Sequence, residues 1–225
     1  MTRAVAFDAM GTLFRLRPLR DRLRGLGAPD PALEAWFGRL LHSAASLTLA
    51  GDFRPFAELA ETSLRTALAQ QGLEESRTAE VLEGFAELPP YEDAENALAK
   101  ASEAGLTVAL LTNGGEANTR RLLERAGLDR YVHAAISVDE VRKYKPAPEP
   151  YQHAANRLGF EPSDVCLIAA HGWDVLGARN AGLQGVWINR LERRWPFPVP
   201  EPARAPGLVE AVALVLHANP THSNR

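Results

Sequence analysis

Five short runs that are apolar throughout punctuate the chain, at 4–7, 107–111, 134–137, 165–169 and 185–188. Runs of that length, apolar on both faces, are what buried parallel strands require. Helical patterns follow most of them, at 116–126, 149–158 and 174–181, and glycines stand where these should close: Gly127, Gly159 and Gly182. The alternation predicts an α/β fold, a Rossmann-like parallel sheet in a three-layer α/β/α arrangement. It fails in one interval. From about 16 to 88 no convincing strand occurs, only helical segments at 31–49, 54–71 and 76–88. A crossover between parallel strands needs only about a dozen residues, so an insertion of this length has another task. Leaving from the carboxyl end of the first strand, it is placed to cover a site there as a small helical cap domain. The expected division is a core of 1–15 and 90–225 and a cap of 16–89. No internal repeat is present.

The composition narrows the function classes. With 225 residues and a formal net charge of −3, the chain offers no overall attraction to nucleic acid or to an anionic membrane, so an anion site must be local. No apolar run approaches the ~20 residues of a membrane span. No basic stretch followed by a long apolar run opens the sequence, so no secretory leader is expected and a cytoplasmic location is. The single cysteine, Cys166, excludes an intramolecular disulfide and sits in an apolar run as packing. The proline-rich stretch 195–202 reads as a stiff connector after the last strand, in preference to a polyproline ligand. A helix at 207–216 is expected to dock on the core, and 221–225 to lack order.

Chemistry concentrates at the ends of the strands. Phe7-Asp8-Ala9-Met10-Gly11-Thr12-Leu13-Phe14 is an apolar strand ending in an aspartate, then a turn admitting glycine. Ligands of open α/β sheets bind beyond the carboxyl ends of the strands, and an ionised aspartate there can act as a nucleophile. Taken alone, the same residues describe an aspartate satisfying turn amides, with Thr12 either hydrogen-bonding Asp8 or capping the turn. Thr112-Asn113-Gly114-Gly115 precedes a helix, where hydroxyl, amide and backbone N–H groups can hold an anion or simply cap the helix. Lys145 can hold the charge of Asp8 and an anionic substrate, although a lysine before proline is otherwise a solvated side chain. Asp174, in the opening turn of its helix, either orients Lys145, directs water, or complements the helix dipole.

These segments together resemble the haloacid dehalogenase superfamily. Phe-Asp-x-x-Gly-Thr-Leu-Phe is similar to its first motif, Leu110-Leu111-Thr112-Asn113-Gly114 to its second, and Tyr144-Lys145-Pro146 to its third. Ala169-Ala170-His171-Gly172-Trp173-Asp174 is similar to the fourth, in the form found among the (S)-2-haloacid dehalogenases of type II. The resemblance implies Asp8, Thr12, Thr112, Asn113, Lys145 and Asp174 as catalytic residues. Met10, Phe37, Gly114, Tyr151 and His171 are expected to meet substrate. It implies neither a metal nor another cofactor. Members of the superfamily commonly dimerise, so a homodimer is open to this chain.

Three positions bear on which reaction. Phosphatases of the superfamily carry a second aspartate two residues after the nucleophile to protonate the leaving alkoxide; here that residue is Met10. Their magnesium needs an acidic oxygen ligand in the fourth motif, and the matching position is Ala170. A carbon–halogen bond makes neither demand, since halide leaves without a proton. The dehalogenases, however, place an arginine after a cap tryptophan to receive the halide, and after Trp36 this chain has Phe37. Arg39, two positions on and roughly 200° around a helix, should point elsewhere. The arginines at 15, 17, 20, 22 and 24 read as a solvated helix face, or as a basic lure at the cap's edge. His171 is either a group touching substrate or water, or a loop histidine that is merely hydrogen-bonded. Trp36, Phe37, Phe53 and Phe56 are either a pocket lining or cap core. The leading expectation is a metal-independent hydrolase forming an ester on Asp8 from a small 2-haloalkanoate. A phosphatase of small metabolites and a non-catalytic binding protein on the same fold are the alternatives.

Overall fold

The computed structural model describes residues 1–218. Its strands are β1 (Ala4–Asp8), β2 (Thr107–Thr112), β3 (Ala134–Ser137), β4 (Val165–Ala169), β5 (Gln184–Ile188) and β6 (Ala203–Ala205), joined in one sheet in the order β3-β2-β1-β4-β5-β6. Every pairing is parallel. Alternate residues serve opposite faces, as the two-residue period of a strand demands. Val5 and Phe7 join one hydrophobic core, and Ala4 and Ala6 join the other. The first of these cores continues without a break into the insertion, taking in Trp36, Leu40, Leu64 and Leu68.

Between β1 and β2 lie α1 (Arg17–Gly25), α2 (Ala32–Ala50), α3 (Phe56–Gln70) and α4 (Thr78–Leu82), followed by α5 (Ala94–Glu103), which makes the crossover to β2. The insertion starts and ends side by side: Arg15 N donates to Pro89 O at 2.8 Å and Tyr91 N to Leu13 O at 2.9 Å. The remaining helices are α6 (Glu116–Ala126), α7 (Pro148–Leu158), α8 (Gly172–Asn180) and α9 (Leu208–His217).

Four details depart from the sequence reading. The helix expected over 76–88 is broken into two 3-10 turns flanking the five residues of α4. Gly84, a poor helix former, sits there against α1, where an added Cβ would come within 3.0 Å of Leu19. Helix α5 escaped the reading because it is built largely of alanines. Helix α8 begins at Gly172, two residues before the start expected at 174. The proline-rich stretch is a connector, but it leads to a further edge strand, β6, instead of following the last one. Trp195 anchors it, packing edge-on to Trp187 with ring centroids 5.5 Å apart and donating Nε1–H to Val199 O at 3.1 Å. The expectation for 221–225 lies outside the described residues. Among the described residues no helix is long and apolar enough to cross a membrane.

Candidate active site

From β1 the chain crosses to β2 and β3 on one side, then returns to β4 on the other. The strand order therefore reverses around β1, and a crevice opens beyond the carboxyl ends of β1, β2 and β4. Asp8, the last residue of β1, stands at that point, level with Leu111 of β2. The chain then turns sharply, with Leu13 N and Phe14 N both donating to Ala9 O. Gly11 takes φ +81° in this turn, and a Cβ there would lie 2.9 Å from His171 Cε1. Only glycine gives both the left-handed backbone and the room for the ring.

Each oxygen of Asp8 has its own donors. Thr12 Oγ1 accepts from Ala170 N at 2.9 Å, which leaves its hydroxyl hydrogen for Asp8 Oδ2 at 2.6 Å. Lys145 is completely buried, and its ammonium has three acceptors for its three hydrogens: Asp8 Oδ1 at 2.9 Å, Asp174 Oδ2 at 2.6 Å and Leu111 O at 3.0 Å. Its backbone N–H donates to Asn113 Oδ1 at 3.1 Å, locking the lysine segment to the end of β2. His171 Nδ1 lies 3.2 Å from Asp8 Oδ2. An ionised carboxylate only accepts, so the imidazole carries its hydrogen on that nitrogen.

The electrostatics separate the two carboxyls. Burial opposes the charge of Asp8, but Lys145, His171 and Thr12 together outweigh it and hold the group well below the usual carboxylate range. Asp174 moves the other way, raised by burial and by the charge of Asp8 against the pull of Lys145. One ammonium shared by two buried acids fully compensates only one of them. For Lys145, burial is overcome by Asp174 and Asp8, and its pKa rises.

Asp8 faces a small chamber of about 10 Å³, bordered by Met10, Phe37, Leu41, Phe56, Thr112, Asn113, His171 and Trp173. That is room for about one water. Asn113 Nδ2 borders it and is buried without a hydrogen-bond partner, a donor lacking an acceptor. Phe37, Leu41, His171 and Trp173 separate the chamber from an outer cavity of about 580 Å³. Phe37 stacks on His171 with centroids 6.1 Å apart.

The residues named from the sequence thus converge, with two exceptions. Tyr151 has no exposed surface, and its hydroxyl donates to Asp174 Oδ1 at 2.7 Å, so it braces Asp174 from behind instead of facing substrate. Gly114 does not border the chamber: its amide donates to Thr112 Oγ1 at 2.9 Å, and its carbonyl accepts from Ser137 Oγ at 2.9 Å. A Cβ on it would come within 2.5 Å of Met10 Cε, so its smallness seats Met10. Of the three readings open to Asp174, the geometry shows the orientation of Lys145. Leu41 and Trp173 also line the chamber, beyond the residues to which the sequence points. Leu41 follows Phe37 by four residues on α2 and so shares its face; Trp173 sits between His171 and Asp174.

Phe37 and Phe56 line the chamber. Trp36 is cap core, donating Nε1–H to Ser63 Oγ at 3.0 Å, and Phe53 stacks on Tyr144. Arg39 faces away and donates to Gln70 at 2.7 Å. The five arginines around α1 each have an acidic partner: Arg15 with Glu92, Arg17 with Asp21, Arg20 with Glu34, Arg22 with Glu87 and Arg24 with Asp30. They form an ion-paired rim. The surroundings also suit a magnesium ion poorly. Asp174 has its two oxygens engaged by Lys145 and Tyr151, and Ala170 offers no ligand atom. Cys166, buried in β4 with its thiol pushed up to about 12, is inert.

The family described as haloacid dehalogenase-like hydrolase matches residues 2–182. The chain belongs to this family of hydrolases. Among its relatives, (S)-2-haloacid dehalogenase 4A of Burkholderia cepacia is 35% identical over 192 residues, covering 84% of this chain and 83% of the relative. (S)-2-haloacid dehalogenase 1 of a Pseudomonas species is 35% identical over 195 residues, covering 85% and 86%. The structure of the L-2-haloacid dehalogenase of Xanthobacter autotrophicus with chloropropionic acid covalently bound superimposes with a TM-score of 0.87 at 28% identity, over 96% of this chain and 99% of that one. Within this site Thr12 supplies one of the contacts that fix the orientation of Asp8. Thr12→Val should strand the buried amide of Ala170 and remove a donor from Asp8, destabilising the fold by about 1–3 kcal/mol in urea titrations. An unchanged unfolding midpoint would show that Thr12 contributes nothing there.

Proposed function

We propose that this hydrolase displaces halide from a small 2-haloalkanoate through a covalent ester on Asp8, with Asp8, Thr12, Thr112, Asn113, Lys145 and Asp174 forming the catalytic set. The observation that carries this reading is an Asp8 carboxylate held by Lys145, Thr12 and His171 beside a small chamber in which Met10 occupies the position of a phosphatase's acid. A carboxylate oxygen of Asp8 attacks the halogen-bearing carbon from the side opposite the halogen. The carbon–halogen bond breaks, halide leaves with the bonding pair, and an alkyl ester forms. Water then attacks the Asp8 carbonyl carbon and releases a 2-hydroxy acid of inverted configuration. The substrate carboxylate finds its donor in Asn113 Nδ2. The edges of Phe37 and Trp173 replace the arginine that the family's dehalogenases hold ready for the halide. The helical segment 16–89 serves as the cap that excludes bulk water.

Racemic 2-chloropropionate in heavy-oxygen water tests the reading. The expected result is halide release, with label entering Asp8 over successive turnovers. No halide and no label across several 2-haloalkanoates would sink it, and magnesium-stimulated hydrolysis of an aryl phosphate would replace it with phosphatase chemistry. We further expect a cytoplasmic enzyme acting as a homodimer, readable by sedimentation at micromolar concentration.

A further inference from the structure

Hydrolysis of an aspartyl ester needs a base for the attacking water, and the residues around Asp8 leave few choices. Three side chains lie within hydrogen-bond distance of its carboxylate: Thr12, Lys145 and His171. Thr12 is a hydroxyl, far too weak a base, and already accepts from Ala170 N, and Lys145 is held protonated by two carboxylates. Asp174 is on the far side of Lys145, fully buried, with one oxygen on the ammonium and the other on Tyr151. We infer that His171 is the general base that activates water against the Asp8 ester. The inference rests on the dehalogenase reading and adds a catalytic residue to it.

The ring is fixed in place. It packs against both Phe37 and Trp173, with centroids 6.1 Å and 5.5 Å away, while Gly11 lets its edge approach the turn after β1. In the resting enzyme the negative charge of Asp8 keeps a hydrogen on Nδ1. Esterification removes that charge, the neutral ring can carry its hydrogen on Nε2, and the Nδ1 lone pair is left facing the ester. The chamber beside Asp8 is of a size for about one water. Water oxygen bonds to Asp8 Cγ, its proton passes to Nδ1, and the carbonyl electrons move onto oxygen. Collapse breaks the bond from Cγ to the alkyl oxygen, which takes the proton back from Nδ1 and leaves as the 2-hydroxy acid. The second hydrogen of the water remains on the regenerated carboxyl of Asp8 and is lost to solvent, because the site holds Asp8 ionised. The net products are hydroxy acid, halide and one proton.

His171→Gln and the smaller His171→Asn provide the test, with 2-chloropropionate as probe and intact-protein mass after an acid quench as readout. Loss of a general base typically slows its step by ~10²–10⁴-fold. Each variant should release up to one equivalent of chloride at close to the wild-type rate, then stall with a carboxyethyl group on Asp8, and steady-state turnover should fall about 100-fold or more. The burst itself reports an intact site in the variant. Turnover within a few-fold of wild type, or loss of the burst along with turnover, would overturn the role assigned to His171. Absence of both halide release and ester in the wild-type enzyme as well would instead remove the dehalogenase reading on which that role rests.

Discussion

Asp8→Asn should abolish halide release from 2-haloalkanoates, lowering kcat by about 10⁵–10⁶-fold, the scale seen when an enzyme loses its nucleophile. An amide oxygen is a poor nucleophile, and no other carboxylate among the described residues borders the chamber to take its place. Thr12 and Lys145 are donors towards Asp8, and Asp174 is buried behind the lysine. The fold should survive the change. Lys145 keeps Asp174 and Leu111 O as partners, and the asparagine side-chain oxygen can still accept from Thr12. A thermal melt close to that of wild type, with no covalent adduct by mass, is the expected pair of results. Residual turnover within a hundredfold of wild type would mean that a group other than Asp8 attacks the substrate.

Much of this was legible in the sequence, and the reasons differ from residue to residue. Strand β1 could be read because Val5 and Phe7 face one core and Ala4 and Ala6 the other, so all of its leading residues are apolar. Asp8 then stands out as the first charge after a buried run. Strand β6 could not be read this way. Ala203-Arg204-Ala205 is an exposed edge after a proline-rich stretch and buries only Ala205. Helix α5 buries Ala94, Ala97, Leu98 and Ala101, a spacing of helical period whose small side chains blur the pattern. Within the site, partners from distant segments were the obscure part. Tyr151 and Asp174 meet because α7 and α8 pack together, and the sequence separation of 23 residues carries no trace of that bond. The halide problem was legible and stays sharp: Phe37 faces the chamber and Arg39 does not.

Lys145→Met should cost about 3–5 kcal/mol of stability, the range found when one partner of a buried ion pair is removed. Methionine nearly matches the lysine stem in volume, so the loss is electrostatic more than steric. Without the ammonium, Asp8 and Asp174 stand as two buried acids with no cation between them, and activity should vanish as well. The pH dependence of stability separates this account from a packing defect. In the wild type the carboxyl of Asp8 is depressed, so its contribution is complete above the unfolded value of 3.8 and lost as pH falls towards the folded one. Asp174 is already raised above the unfolded value in the wild type, and in the variant it should rise further while Asp8 loses its depression, because Lys145 no longer opposes burial and the other carboxylate. The variant's native state then binds more protons than its unfolded state in mildly acid solution. Its stability should therefore rise as pH is lowered from 7 towards 5, and more steeply than that of the wild type, in which Asp174 alone is raised and Asp8 is depressed. Urea titrations across that interval measure both slopes. Equal slopes in the two proteins would mean that the ammonium of Lys145 does not govern the ionisation of Asp8 and Asp174.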